Sequence, residues 1–153
     1  MKRILFVCHG NICRSTMAEF VFKHLLRRKG LEKEFYVDSA ATSTEELGNP
    51  VHPGTRRKLV QVGIPCGEHR ARQLRREEYD AFDLFIGMDH ANLRNMRRIL
   101  GDDPEGKIHS LLDYAGRRGE DIADPWYTGN FDETYEDVLA GCRGLLAALT
   151  QGN

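Results

Sequence analysis

Apolar and polar positions fall in blocks along this chain, and their spacing switches repeatedly between that of a buried strand and that of an amphipathic helix. The continuous run Ile4-Leu5-Phe6-Val7, within residues 3–7, stops at a polar stretch containing Gly10 and Asn11. A short run of this kind predicts a strand buried on both faces, as in a parallel sheet. From Met17 the positions Met17, Phe20, Val21, His24 and Leu25 follow helical spacing; Arg27, Arg28 and Lys29 suit the C-terminal dipole and Gly30 ends the helix. A second strand is predicted over 34–40, centred on Phe35-Tyr36-Val37, and a helix over 55–61 closing at Gly63. A short helix over 75–79, a strand over 84–88 and a helix over 91–100 come next, then a weaker strand over 108–112. A polar stretch over 116–130 leads to the clearest element, in which Tyr135, Val138, Leu139, Cys142, Leu145, Leu146 and Leu149 form one apolar helical stripe. Strands alternating with helices predict a single α/β domain over 1–153: a three-layer sandwich with a four-stranded parallel sheet. In such sheets ligands bind beyond the carboxyl ends of the strands, where the strand order reverses.

The first strand ends in a segment with reactive side chains: Cys8-His9-Gly10-Asn11-Ile12-Cys13-Arg14-Ser15. A loop between strand and helix can aim backbone N–H groups and a helix N-terminus at an anion. The Cys-x5-Arg spacing places a sulfur nucleophile and a planar guanidinium at the two ends of that loop, suggesting phosphoryl transfer through cysteine. Inward N–H groups, Arg14 and the Ser15 hydroxyl all favour thiolate over thiol at Cys8. Gly10 and Asn11 tolerate the positive φ that wrapping around an anion demands. The segment is neither a Walker A loop nor G-x-G-x-x-G. Displacement at phosphorus also needs a proton donor for the leaving oxygen. Asp124, before Pro125-Trp126-Tyr127 in the polar stretch, could project a carboxyl over a pocket or could be an ordinary Asp-Pro turn.

Composition removes other readings. The 153 residues are 41% hydrophobic and 29% charged with a formal net charge of −1, ordinary for a soluble globular protein and without a signal for nucleic acid or membrane. The basic run Thr55-Arg56-Arg57-Lys58 reads as a solvated helix face. The apolar run after Lys2-Arg3 is too short for a secretion signal, and no stretch matches a membrane span, so a cytoplasmic protein with four free thiols is expected. Neither Cys8, His9 and Cys13 nor Cys66 and His69 supply four ligands at zinc-finger spacing.

The loop, taken together with Asp124-Pro125 some 115 residues later, resembles the low-molecular-weight protein tyrosine phosphatase family over essentially the whole chain. The segments 40–44, Leu47-Gly48-Asn49-Pro50 and His69-x-Ala71-Arg72-Gln73 resemble family segments too. The resemblance implies that Cys8 forms a phosphocysteine while Arg14 and the loop backbone from His9 to Ser15, through Gly10, Asn11, Ile12 and Cys13, hold the phosphate oxygens. Asp124 would be general acid and then base. Asn11 would brace the loop through Ser39 and His69, and Ser15 would assist Cys8. Trp126 and Tyr127 would wall the slot, the alternative being a pair of core aromatics. The family needs no metal or other cofactor, its partners are phosphotyrosine proteins or peptides, and its product is inorganic phosphate. Cys13 would be either a redox partner for Cys8, as in the family, or a buried inert thiol.

Three positions depart from the family pattern. His9 replaces a small or aliphatic residue, Thr16 replaces a common proline, and Glu45 stands where relatives often carry a bulky residue. His9 and Glu45 are therefore expected at the substrate pocket, with Glu45 favouring basic residues near the phosphate. Protein-arginine phosphatase is the nearest alternative, but family members with that activity tend to have threonine at the position of Ile12. Thiol-linked arsenate reduction would need resolving cysteines near residues 80–90, where this chain has none.

Overall fold

The computed structural model describes residues 1–151. Four parallel strands, β1 (Lys2–Cys8), β2 (Phe35–Ala41), β3 (Leu84–Gly87) and β4 (Ile108–Ser110), pair in the order β2-β1-β3-β4. Five helices connect or flank them: α1 (Arg14–Arg28), α2 (Pro53–Gln61), α3 (His90–Leu100), the single turn α4 (Pro125–Thr128) and α5 (Phe131–Thr150). Ile4, Leu5, Phe6 and Val7 are all fully buried, because β1 has a strand on each side and a helical layer on each face. Ile4, Phe6 and Cys8 share one core with Met17 and Val21 of α1, Leu59 of α2, and Val138 and Cys142 of α5. Leu5 and Val7 point the other way, into a core with Phe85, Met96 and Leu100 around α3. The sheet thus forms the middle of a three-layer α/β sandwich, as the alternating pattern predicts. The strand order reverses between β1 and β3, so the carboxyl end of β1 opens into the crevice such sheets use for ligands.

Several boundaries shift from the sequence expectation, for identifiable reasons. Helix α1 begins at Arg14 and not at Met17; Arg14, Ser15 and Thr16 are polar yet buried, so apolar periodicity does not register its first turn. Strand β4 stops at Ser110, and Leu111–Ala115 turns into a 3₁₀ helix, so only the first three residues of the stretch 108–112 are strand. The short helix near 75–79 is likewise a 3₁₀ turn, Arg76–Asp80. Helix α2 starts at Pro53, where the missing N–H costs nothing, and His52 Nδ1 accepts the Gly54 N–H at 2.9 Å. No helix among the described residues is long and apolar enough to cross a membrane.

Candidate active site

The loop after β1 is held by its neighbours before any chemistry is considered. The carbonyl of Cys8 accepts the Thr42 N–H at 3.0 Å, and that of His9 accepts the Ser43 N–H at 3.1 Å and hydroxyl at 2.9 Å. Asn11 takes a left-handed φ of 58° and is completely buried. The Arg72 backbone N–H, which can only donate, faces Asn11 Oδ1 at 3.2 Å and so fixes the amide's orientation. It follows that His69 Nε2 donates to the same Oδ1 at 2.8 Å. Asn11 Nδ2 then donates to Ser15 Oγ at 2.8 Å and to Ser39 Oγ at 2.9 Å. The Ser39 hydroxyl donates to the buried Glu19 at 2.6 Å, and Lys23 pairs with Glu19 at 2.6 Å. Glu19, Asp38 and His69 offer three ligand atoms within 4.8 Å of one another, but both Glu19 oxygens are already taken by Ser39 and Lys23.

This brace shapes the surroundings of Cys8. The Asn11 N–H donates to Sγ at 3.3 Å, and Ser15 Oγ lies 3.1 Å from it. Because Ser15 Oγ already accepts from Asn11, its proton is free for the sulfur when Cys8 is a thiolate. Arg14 is 2% exposed. Its NH1 donates to Asp89 Oδ2 at 2.7 Å and to the Ile122 carbonyl at 2.8 Å, and its NH2 lies 3.5 Å from Asp124 Oδ2. Nε is buried with no hydrogen-bond partner among the described residues. Burial opposes the guanidinium's charge, but the neighbouring Cys8, Asp89 and Asp124 outweigh it and hold Arg14 more firmly protonated than usual. Cys13 behaves in the opposite way. Burial first, then Cys8 and Asp124, push its thiol up to about 12, and Thr55 and Arg14 offset this only in part.

Asp124, within the polar stretch, caps α4, its Oδ1 accepting the Trp126 N–H at 3.0 Å. The pocket mouth is lined by His9, Gly10, Glu45, Glu46, Asp124, Trp126 and Tyr127, and Cys8, Asn11, Ile12, Cys13 and Arg14 line the same pocket. Trp126 is 57% and Tyr127 82% exposed, which removes the core-aromatic reading. The Trp126 ring meets His52 edge-on at 5.7 Å, and His52 stacks on Phe131 at 5.4 Å. His9 Nε2 donates to Glu45 Oε2 at 2.9 Å across the mouth.

The structure therefore brings together the loop, Ser39, His69, Glu45, Asp124, Trp126 and Tyr127. Sequence reasoning missed Asp89, Glu19, Glu46, Arg72 and His52. Asp89 follows the carboxyl end of β3 beside β1, the place where a strand-order argument looks for polar residues. Glu19 sits one turn after Ser15 among Met17, Phe20 and Val21, an acid on an otherwise buried helix face. His52 carries no comparable signal.

A family model described as low molecular weight phosphotyrosine protein phosphatase matches residues 3–153. The low molecular weight protein-tyrosine-phosphatase YfkJ of Bacillus subtilis is 42% identical over 150 residues, covering 97% of this chain and 96% of that protein. Its crystal structure superposes with a TM-score of 0.94 at 41% identity, over 99% of this chain and 96% of that one. The human low molecular weight phosphotyrosine protein phosphatase is 38% identical over 149 residues, covering 95% of this chain and 94% of its own. The structure of a Drosophila arginine phosphatase has a TM-score of 0.88 at 32% identity and full coverage of both chains. With a family match over nearly its whole length and relatives this similar, the chain belongs to the low molecular weight phosphotyrosine protein phosphatase family.

Proposed function

We propose that this protein hydrolyses protein phosphotyrosine, and small aryl phosphates, through a phosphocysteine on Cys8. The observation that carries the reading is Arg14 Nε, a buried donor without a hydrogen-bond partner among the described residues, on a side chain that lines the same pocket as Cys8 and whose NH1 is locked by Asp89 and Ile122. A guanidinium pinned at one corner and free at another offers its open edge to an oxyanion.

The Cys8 thiolate attacks phosphorus, the P–S bond forms and the P–O bond to the ring breaks. The departing phenolic oxygen takes a proton from Asp124, whose Oδ1 is occupied by the Trp126 N–H, so Oδ2 is the transferring atom. Arg14 and the loop N–H groups balance the charge on the equatorial oxygens. Water then attacks phosphorus, Asp124 accepts its proton, and the P–S bond breaks to return the thiolate and release inorganic phosphate. Ser15, braced by Asn11, stabilises the thiolate as nucleophile and as leaving group. The residues that act on phosphate are organic donors, so the reaction is expected to proceed in EDTA. The four free cysteines suit the reducing cytoplasm, where we place this activity.

Likeness to an arginine phosphatase keeps that activity as a second reading. Ile12, at the loop, offers no polar side chain for a P–N substrate. Side-by-side rates on phosphotyrosine, phosphoserine and phosphoarginine peptides test the choice. Phosphotyrosine is expected to lead, with turnover of p-nitrophenyl phosphate blocked by vanadate and lost in Cys8→Ser. Faster release from phosphoarginine would reverse the assignment.

A further inference from the structure

We propose that Glu45 and Glu46 form a paired carboxylate rim that selects phosphotyrosines flanked by lysine or arginine; this rests on the phosphotyrosine reading above. Both residues line the pocket that contains Cys8 and Arg14. One oxygen of each is held by the protein: Glu45 Oε2 by His9 Nε2 at 2.9 Å, and Glu46 Oε2 by Asn49 Nδ2 at 2.6 Å. The Oε1 atoms have no hydrogen-bond partner among the described residues, so each carboxylate is oriented and still able to accept. The backbone that carries them is fixed as well. Ser43 is tied to the His9 carbonyl by N–H and hydroxyl, Asn49 N–H to the Glu46 carbonyl, and Gly48 N–H to the Ala71 carbonyl. Glu46 packs directly on the loop, its Cγ lying 3.3 Å from the place a Cβ on Gly10 would occupy.

The charge arrangement says which part of a substrate these groups meet. The buried, unpaired Arg14 Nε is an independent sign that the anionic end of the ligand sits deep, beside Cys8. Among the described residues Arg14 is the only arginine or lysine lining the pocket, and Asp89 at 2.7 Å and Asp124 at 3.5 Å already partner it. Two further carboxylates at the mouth repel a phosphate dianion and any acidic neighbour. They become favourable when a cation arrives next to the phosphotyrosine, so they discriminate by repulsion as much as by attraction.

The test uses three otherwise identical phosphotyrosine peptides with Lys, Ala or Glu on both sides of the phosphotyrosine. Values of kcat/KM are measured for the native chain, Glu45→Gln, Glu46→Gln and the double variant. Each is normalised to the same protein's turnover of p-nitrophenyl phosphate, which has no flanking residue. Two exposed pairs of about threefold each predict a Lys-over-Glu preference of roughly tenfold in the native chain, about threefold in each single variant and near unity in the double variant. The native preference is also expected to collapse in about 1 M salt, as solvent-exposed attraction does. Equal rates on the three peptides, or a double variant that keeps the native preference, overturn the rim. A chain that turns over none of the peptides, or that prefers phosphoarginine, overturns the phosphotyrosine reading itself and the rim with it.

Discussion

Asp124 divides two tasks between its two oxygens, and this makes it separable by mutation. Oδ1 caps α4 through Trp126 N–H, and Oδ2 is assigned the proton for the leaving group. Asparagine is as good a cap as aspartate but carries no transferable proton. Asp124→Asn should therefore leave thermal unfolding nearly unchanged while lowering kcat by about 10²- to 10⁴-fold. The loss should be steepest for phenyl phosphate and smallest for p-nitrophenyl phosphate, whose leaving group needs little help; an equal, slight effect on both would remove Asp124 from the acid role. Asn11 is the opposite case, a residue whose contributions cannot be separated. Its positive φ and its four side-chain hydrogen bonds serve one loop shape. Asn11→Ala strains the backbone and leaves buried partners unpaired, and urea unfolding should show a loss of about 2–4 kcal/mol. A drop in kcat should accompany it, since the same residue supplies the Cys8 sulfur with its N–H.

At the level of elements, α5 contains two glycines that helix propensity cannot explain. Gly141 and Gly144 interrupt its middle, where each costs about 1 kcal/mol relative to alanine. A Cβ on Gly141 would strike the Leu111 side chain, and one on Gly144 would strike the Tyr114 backbone carbonyl. The 3₁₀ turn Leu111–Ala115 therefore lies against bare α5 backbone. Gly144→Ala should destabilise by about 1–3 kcal/mol, the reverse of the sign propensity alone gives, because backbone cannot step aside as a flexible side chain can. Urea denaturation of the variant reads the sign directly. The same contact explains why the last strand reads too long: Leu111 and Leu112 are fully buried and look like strand, but Leu111 belongs to the 3₁₀ turn and fills the space Gly141 opens. Strands β1 and β3, buried on both faces, and the α5 stripe were legible because tertiary burial and local pattern coincide there. The first turn of α1 was not, since its buried polar side chains carry no apolar signature, and neither was α4, a single turn exposed except at Pro125 and too short to show a period.

Across the whole molecule, buried acids of high pKa set an alkaline limit. Burial raises the thiols of Cys13 and Cys142 and the Tyr114 hydroxyl above their ordinary values. A group raised by folding binds its proton more tightly in the folded state. Its contribution is complete below the unfolded value, near 9 for a thiol, and is lost as pH climbs towards the folded one, about 12 for Cys13. The urea midpoint should accordingly fall steadily from pH 8.5 to 10.5, and a flat profile would contradict the burial of these groups. The loop residues of the site were legible because reactive side chains cluster there within eight positions. Asp89, Glu19 and Arg72 were not, because their roles arise only from contacts across the fold. Those contacts have a kinetic corollary. Arg14 reaches Asp89 and the Ile122 carbonyl, 75 and 108 positions away, and Asn11 reaches His69 and Arg72, 58 and 61 away. Closing such long loops comes late in folding, after local helices have formed. On refolding from urea, helical circular dichroism should return before turnover does, so that Cys8 becomes a catalyst only when both halves of the molecule have met.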